Sequence, residues 1–254
     1  MKVALSIVSH AQDDLVLDFF ESIKKEEFLK FFNNYTFIVT HNLKKKINFK
    51  KKFNFLEIIE IENVIPKSFG MNHNEAFKTI ESNIFIVMNP DIEFFQGNLE
   101  EFVNHLDASS HCLIVPQIKE PNKEVFTPLR NRLSLKELFL RFFCMVILKQ
   151  NISFKALDLS KPFWACGIFM AFKSESFKKL RGFDESIFMY YEDADLSRRL
   201  VLNKKTLGSS ELLTLKHVGN RTSHKNLNLL ISHIFSAIRI NFFRKWAKIN
   251  NQSV

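Results

Sequence analysis

Glycine-rich phosphate loops are missing from this 254-residue chain. It has six glycines, and neither G-x-G-x-x-G nor G-x-x-x-x-G-K-[ST] occurs, which removes the usual marks of dinucleotide-binding and P-loop proteins. Ser9 lacks the flanking glycines of a nucleophile elbow, so Ser/His/Asp hydrolysis is not expected. The three cysteines, Cys112, Cys144 and Cys166, are odd in number, far apart and without C-x-x-C spacing. That disfavours a disulfide frame and a zinc site and fits reduced thiols in a cytosolic compartment. No Pro/Gly/Ser linker and no internal repeat divides the chain. A signal peptide is not expected, because the apolar run Val3–Val8 is short and meets His10, Gln12, Asp13 and Asp14. The longest apolar stretch, Leu138 to Leu148, is broken by Arg141 and too short to cross a bilayer.

What is present suits a packed core: 46% hydrophobic and 25% charged residues. Phenylalanine dominates the aromatics, 29 against 3 Tyr and 2 Trp, a bias read as base composition and given no functional weight. The net charge of +9 attracts phosphates, whether of nucleic acid, nucleotide-sugars or lipid head groups. The runs Lys44–Lys46 and Lys50–Lys52 lack the aromatic and Arg interleaving of an RNA-binding sheet, so they read as solvated loop and no nucleic-acid partner is expected.

Strand and helix patterns alternate through the first half. Val3–Val8, Phe37–Val39, Leu56–Ile61 and Ile84–Met88 read as strands, while Asp13 to Phe32 and Met71 to Ile80 have helical spacing. This predicts an α/β fold with a mostly parallel central sheet flanked by helices. Leu133 to Lys149 reads as an apolar helix, Phe169–Phe172 as a strand and Ser174–Leu180 as a helix. Asp193–Leu202 reads as a helix with acids first and Arg198–Arg199 late, Leu212–Lys216 as a strand, and Asn226 to Lys248 as a basic amphipathic helix. The expected division is a catalytic domain over 1–225 and a C-terminal helix over 226–254.

In parallel sheets ligands bind beyond the carboxyl ends of the strands. That rule singles out Ser9–His10, His41–Asn42 and Asn89-Pro90-Asp91. Asp91 is placed to hold a divalent cation against a diphosphate, although Asn-Pro-Asp is also ordinary turn chemistry. Glu192, Asp193 and Asp195 crowd three acids into a helix start, where one can serve as general base. The plain alternative is a capping Asp193 and an Asp195–Arg199 pair at i, i+4. His217 ends an apolar strand and is a candidate metal ligand. Gly70 permits close backbone approach to a nucleotide.

Together these segments resemble family 2 glycosyltransferases of the GT-A type, closest to bacterial rhamnosyltransferases that build O-antigen and related surface polysaccharides. The resemblance runs through Ser9–His10, Phe69-Gly70-Met71-Asn72-His73-Asn74, Asn89-Pro90-Asp91-Ile92, Trp164-Ala165-Cys166-Gly167, Gly182-Phe183-Asp184-Glu185, Phe188 to Arg199, and His217. It implies an inverting, Mg²⁺- or Mn²⁺-dependent transferase. Asp193 would be the base, with Glu192 and Asp195 beside it, and Asp91 and His217 the metal ligands. Ser9, His10, His41, Asn42, Gly70, Asn74, Asn89, Asp91 and Arg199 would line the nucleotide-sugar site, and Trp164, Cys166, Gly167 and Tyr191 the acceptor site.

The implied donor is dTDP-rhamnose and the acceptor a polyprenyl-diphosphate-linked or oligosaccharide chain, with peripheral contact at the inner face of the membrane. The chain departs from the family pattern at His41, where relatives carry a base-contacting Asp, and at Phe163, where close relatives carry an Asp. A catalytically degenerate binding subunit and a sugar nucleotidyltransferase are the competing readings.

Overall fold

Every residue of Val3–Ser9 except Val8 is buried, as expected of a strand covered on both faces. This is β1 of an eight-stranded sheet in the computed structural model, which describes residues 1–23, 34–121, 123–146, 157–217, 227–242 and 244. The strands are β1, β2 (Tyr35–His41), β3 (Glu57–Glu62), β4 (Ile84–Met88), β5 (Ile92–Gly97), β6 (His111–Lys119), β7 (Leu129–Asn131), β8 (Phe163–Ala165), β9 (Phe169–Lys173) and β10 (Thr206–His217). The large sheet has the order β3-β2-β1-β4-β9-β6-β10-β5, and β7 pairs with β8 as a separate ribbon. Only β9 and β5 run against the rest, so the sheet is mostly parallel as expected.

Helices cover both faces. They are α1 (Asp13–Ile23), α2 (Phe49–Lys52), α3 (Phe69–Phe77), α4 (Leu99–Ala108), α5 (Leu135–Val146), α6 (Ser174–Lys179), α7 (Glu192–Leu202) and α8 (Leu227–Phe242). Val16, Phe19, Phe20 and Ile23 of α1 form one buried stripe at helical spacing. They pack with Leu5, Ile7, Ile84 and Ile86 on one face of the sheet, while Ala4, Phe85 and Val87 face Ala76, Phe177 and Leu196 on the other. Phe19, Phe20, Phe37, Phe85, Phe102 and Phe177 are among the largest fully buried side chains. Much of the phenylalanine therefore fills the core, while Phe55, Phe95, Phe139, Phe143, Phe188 and Phe235 are exposed.

β5, α4 and β6 were not expected from the sequence. β6 carries Pro116 inside a run of buried apolar residues, and β5 is a short edge strand with its last three residues exposed. Three expected helices begin near their expected starts, at Asp13, Leu135 and Leu227; residues 24–32, 147–149, 226, 243 and 245–248 of those expectations lie outside the described residues. Lys50–Lys52 form the short α2 rather than a loop. No helix among the described residues is long and apolar enough to cross a membrane.

Gly70 of α3 sits under the Gly182–Phe183 turn. A Cβ there would lie 2.7 Å from Phe183 Cβ, an atom fixed to its own backbone. Gly70→Ala should therefore cost about 1–3 kcal/mol by overpacking, read as a lower denaturant midpoint at unchanged slope.

Candidate active site

The strand directions decide which residues meet. β1, β2 and β4 are parallel with Ser9 opposite His41 and Ile7 opposite Met88, so Ser9–His10, His41–Asn42 and Asn89 share one edge of the sheet. β6 and β10 end at the same edge, with Lys119 opposite Lys216, which places Glu120 and His217 side by side. β5 starts there too, His217 standing opposite Ile92, one residue after Asp91. Asp91, Glu120 and His217 come together for this reason.

His217 Nε2 lies 3.3 Å from Asp91 Oδ2, and Nδ1 lies 3.6 Å from Glu120 Oε1. Burial lowers the imidazole pKa, but the two carboxylates outweigh it and the net direction is up. Two donors about 2.1 Å from one octahedral ion sit about 3 Å apart, the setting of a Mg²⁺ held by few protein groups and completed by phosphates and water. The Asp91–His217 spacing fits that arrangement once the imidazole has given up its proton to admit the ion. Among the described residues no group of three or more His, Cys, Asp or Glu could hold a metal alone, so substrate oxygens would have to complete the shell. Glu120 was missed in the sequence because β6 was. The run Cys112–Val115 followed by a strand-end acid was the available signal.

Asp193 reaches this edge through Gly167. The Gly167 N–H donates to Asp193 Oδ2 at 2.7 Å and the Ala194 N–H to Oδ1 at 2.7 Å. Gly167 precedes Ile168, whose carbonyl accepts from the Asn89 N–H at 3.0 Å, two residues before Asp91. Burial raises the pKa of Asp193 above the ordinary carboxylate range, partly offset by those N–H donors. Glu192 is raised further by burial and then by the Asp193 charge, and its Oε2 has no hydrogen-bond partner. Burial and mutual repulsion thus resist charging both carboxyls at once, and the N–H donors favour the charge on Asp193.

The turn before these acids is strained: Tyr190 and Tyr191 have φ of 69° and 63°. Such residues cost about 1–3 kcal/mol each and persist where the surroundings fix them, often at functional sites. Trp164 packs on Tyr191, ring centroids 5.7 Å apart. Burial pushes the Cys166 thiol up to about 12, with Arg130 opposing and Asp193 and Glu120 adding to the rise, so Cys166 stays a thiol. The Arg130 guanidinium lies 5.1 Å over the Phe126 ring and brings a cation that the sequence reading did not single out.

Several expected site residues are instead internal scaffolding. Asp195 is 0% exposed and pairs with Arg198 at 2.7 Å and Arg199 at 2.6 Å, so it is not placed as a base. Arg199 spends its other nitrogens on Leu180 O and Gly182 O, both at 2.7 Å, and not on a diphosphate. Asn74 clamps Phe183, accepting from its N–H at 2.9 Å and donating to its carbonyl at 3.0 Å. The close approach that Gly70 permits is to Phe183, not to a nucleotide.

His41 is 1% exposed, its ring between Asp13 at 3.4 Å and Glu60 at 3.0 Å and stacked on Phe49. Its side chain therefore does not face a base. For Asp13, hydrogen bonds from Ser9 and the Lys46 and Ile47 N–H groups, with the His41 charge, outweigh burial and lower the pKa. Ser9 is buried with its hydroxyl on Asp13, and Asn42 bridges His10 and Lys67. His10 is exposed.

No family model matches the chain. Among curated proteins it is similar to the rhamnosyltransferase WbbL of Escherichia coli (strain K12), 24% identical over 213 residues, 79% of this chain and 77% of that protein. Among solved structures it is similar to the mannosyltransferase PcManGT of Pyrobaculum calidifontis in complex with GDP-Man and Mn²⁺, with TM-score 0.62, 13% identity, and coverage of 94% of this chain and 64% of that one. S. aureus TarS 1–349 gives 0.58, 12%, 95% and 66%. GalNAc-T7 with UDP, GalNAc and Mn²⁺ gives 0.60, 14%, 86% and 43%. The chain thus spans less than two thirds of each of these solved chains. In fold it is a mixed α/β protein of the GT-A-like, Rossmann-related type.

Proposed function

We propose that the chain is an inverting glycosyltransferase that moves a sugar from a nucleotide-sugar donor to an acceptor hydroxyl. The favoured donor is dTDP-rhamnose, and the acceptor is a polyprenyl-diphosphate-linked or oligosaccharide chain of a bacterial surface polysaccharide. One observation carries the reading: Asp91 with His217, and Asp193 through Gly167, approach one edge of the sheet although Asp91 is distant in sequence from the other two. The similarity to WbbL supports rhamnose as the sugar.

In this reading Asp193 takes the acceptor hydroxyl proton as the oxygen bonds to the anomeric carbon. The carbon–oxygen bond to the diphosphate breaks on the opposite face, which inverts the configuration. Asp91 and His217 would hold Mg²⁺ or Mn²⁺, whose charge neutralises the departing diphosphate when bound. Burial and the neighbouring charge oppose ionising Glu192 beside Asp193, so the two carboxyls resist being charged together.

Two measurements test the reading. Transfer and donor hydrolysis, screened over dTDP-, UDP- and GDP-sugars, should vanish on chelation and return with Mn²⁺ or Mg²⁺. Activity that ignores chelation removes Asp91 and His217 as metal ligands, and a chain that binds donor without turnover is a binding subunit. For membrane contact the support is an exposed stripe on α5, Lys136, Phe139, Leu140 and Phe143, at helical spacing. The protein should float with anionic vesicles at low salt and be released at high salt; failure to float ends the membrane reading.

A further inference from the structure

A strained corner needs something to hold it, and in this chain the holder comes from the far end of the sequence. Tyr190 and Tyr191 both lie in the left-handed region, which strains any residue that has a Cβ, and Tyr191, the N-cap of α7, makes no side-chain cap hydrogen bond. Contacts from α8 and from Arg244 beyond its end surround the segment instead. Ser236 Oγ donates to Met189 O at 3.1 Å. Arg239 donates to Ser186 O at 3.3 Å and to its Oγ at 2.9 Å, and Arg244 pairs with Asp184 at 3.1 Å. The His233 ring packs on Tyr190 and Tyr191, with centroids 4.9 and 5.4 Å away. Ala237 and Ile240, both fully buried, share one cluster with Ile187, Tyr191 and Ala194. Asn241 ties α8 to the start of α5 as well, accepting from Arg132 Nε at 3.0 Å and from the Leu133 N–H at 3.2 Å. Phe235, by contrast, is 70% exposed. The face of α8 that carries the contacts is the one turned to the corner.

We infer that α8 is a positioning element of the active site, with His233 and Ser236 holding the Tyr190–Tyr191 corner so that Asp193 stays seated against Gly167. The inference rests on the proposed transferase function. Asp193 lies two residues past the corner, and α7 is aimed by the backbone that enters it. Relaxation of either tyrosine to a right-handed conformation re-aims the first turn and lifts Asp193 Oδ2 from the Gly167 N–H. His233 touches no reacting atom in this scheme; it acts through the tyrosine rings.

The test uses the full chain with H233A/S236A and H233F, checked for folding by thermal melting. Misplacement of a catalytic group by about 1 Å costs about 100-fold, so H233A/S236A should lose about that factor in kcat for transfer. Its donor KM should be unchanged, and H233F, which keeps a ring on the tyrosines, should recover most of the rate. Hydrogen exchange gives a readout free of activity: the amides of 187–195 should lose protection in H233A/S236A while those of β1 and β4 keep theirs. Unchanged kcat, or an exchange pattern in which 187–195 stays protected, overturns the inference. If H233A/S236A does not fold, H233A alone is read by the same exchange criterion. A wild-type chain that turns over no nucleotide-sugar takes down the functional reading, while the exchange comparison still decides whether α8 holds the corner.

Discussion

Asp193→Asn should abolish transfer, with kcat falling about 10²–10⁴-fold, and leave donor and metal binding intact. The factor is what a positioned general base usually supplies. Asn keeps the shape and one acceptor oxygen, which serves the Gly167 N–H at 2.7 Å; it gives up the bond from the Ala194 N–H, a small local cost, and the proton acceptor is gone. Metal binding is spared because the proposed ligands are Asp91 and His217, 3.3 Å apart, and not Asp193. The pH dependence follows from sign. A base works only when deprotonated, and burial sets the pKa of Asp193 above its ordinary 3.8. Activity should therefore fall as pH drops, on an acid limb displaced upward from that value, and D193N should have no such limb. Steady-state rates with calorimetric donor titration measure both halves. A D193N enzyme with most of its activity moves the base to Glu192, the one neighbouring acid whose carboxyl is neither ion-paired nor fully hydrogen-bonded.

The strands that organise the site were legible because they are buried on both faces and read as unbroken apolar runs. Val3–Val8 and Ile84–Met88 are of this kind, and the strand-end rule then pointed to Asp91 among others, with His217 a separate candidate at the end of another apolar strand. β6 was not legible, because Pro116 interrupts a sheet strand only rarely, and Glu120 was lost with it. Within the acid cluster the residue types were legible but their directions were not. Successive helix positions turn by about 100°, so Glu192, Asp193 and Asp195 face three ways. One turns into the core toward two arginines, and only the fold says which. Asn74, Gly70 and Arg199 matched a catalytic family's motif while serving its scaffold, since a site and the turn that supports it share one stretch of chain. His41 escaped for another reason. It was singled out by its strand-end place, and nothing local announces the carboxylates of Asp13 and Glu60 that close over it.

Asp195→Ala should destabilise the protein by about 3–5 kcal/mol, the usual cost of removing one member of a buried ion pair, and should abolish activity only as far as it unfolds the chain. Asp195 is fully buried and Arg198 nearly so, with Arg199 21% exposed. Deleting the carboxylate leaves two guanidinium groups without the counter-charge they share. The damage should also spread along one route. Arg199 carries Leu180 O and Gly182 O on its remaining nitrogens, and the turn they fix is the one that Asn74 clamps and Gly70 admits. Asp195→Asn keeps one acceptor and should fall between alanine and wild type. Chemical denaturation read beside turnover at a temperature where each variant is folded separates the two roles of the neighbouring acids. Asp193→Asn should lose rate and keep stability, and Asp195→Asn should lose stability and keep rate. The reverse pattern would place the proton acceptor at Asp195, and its paired, solvent-free carboxylate would then have to leave both arginines during each turnover.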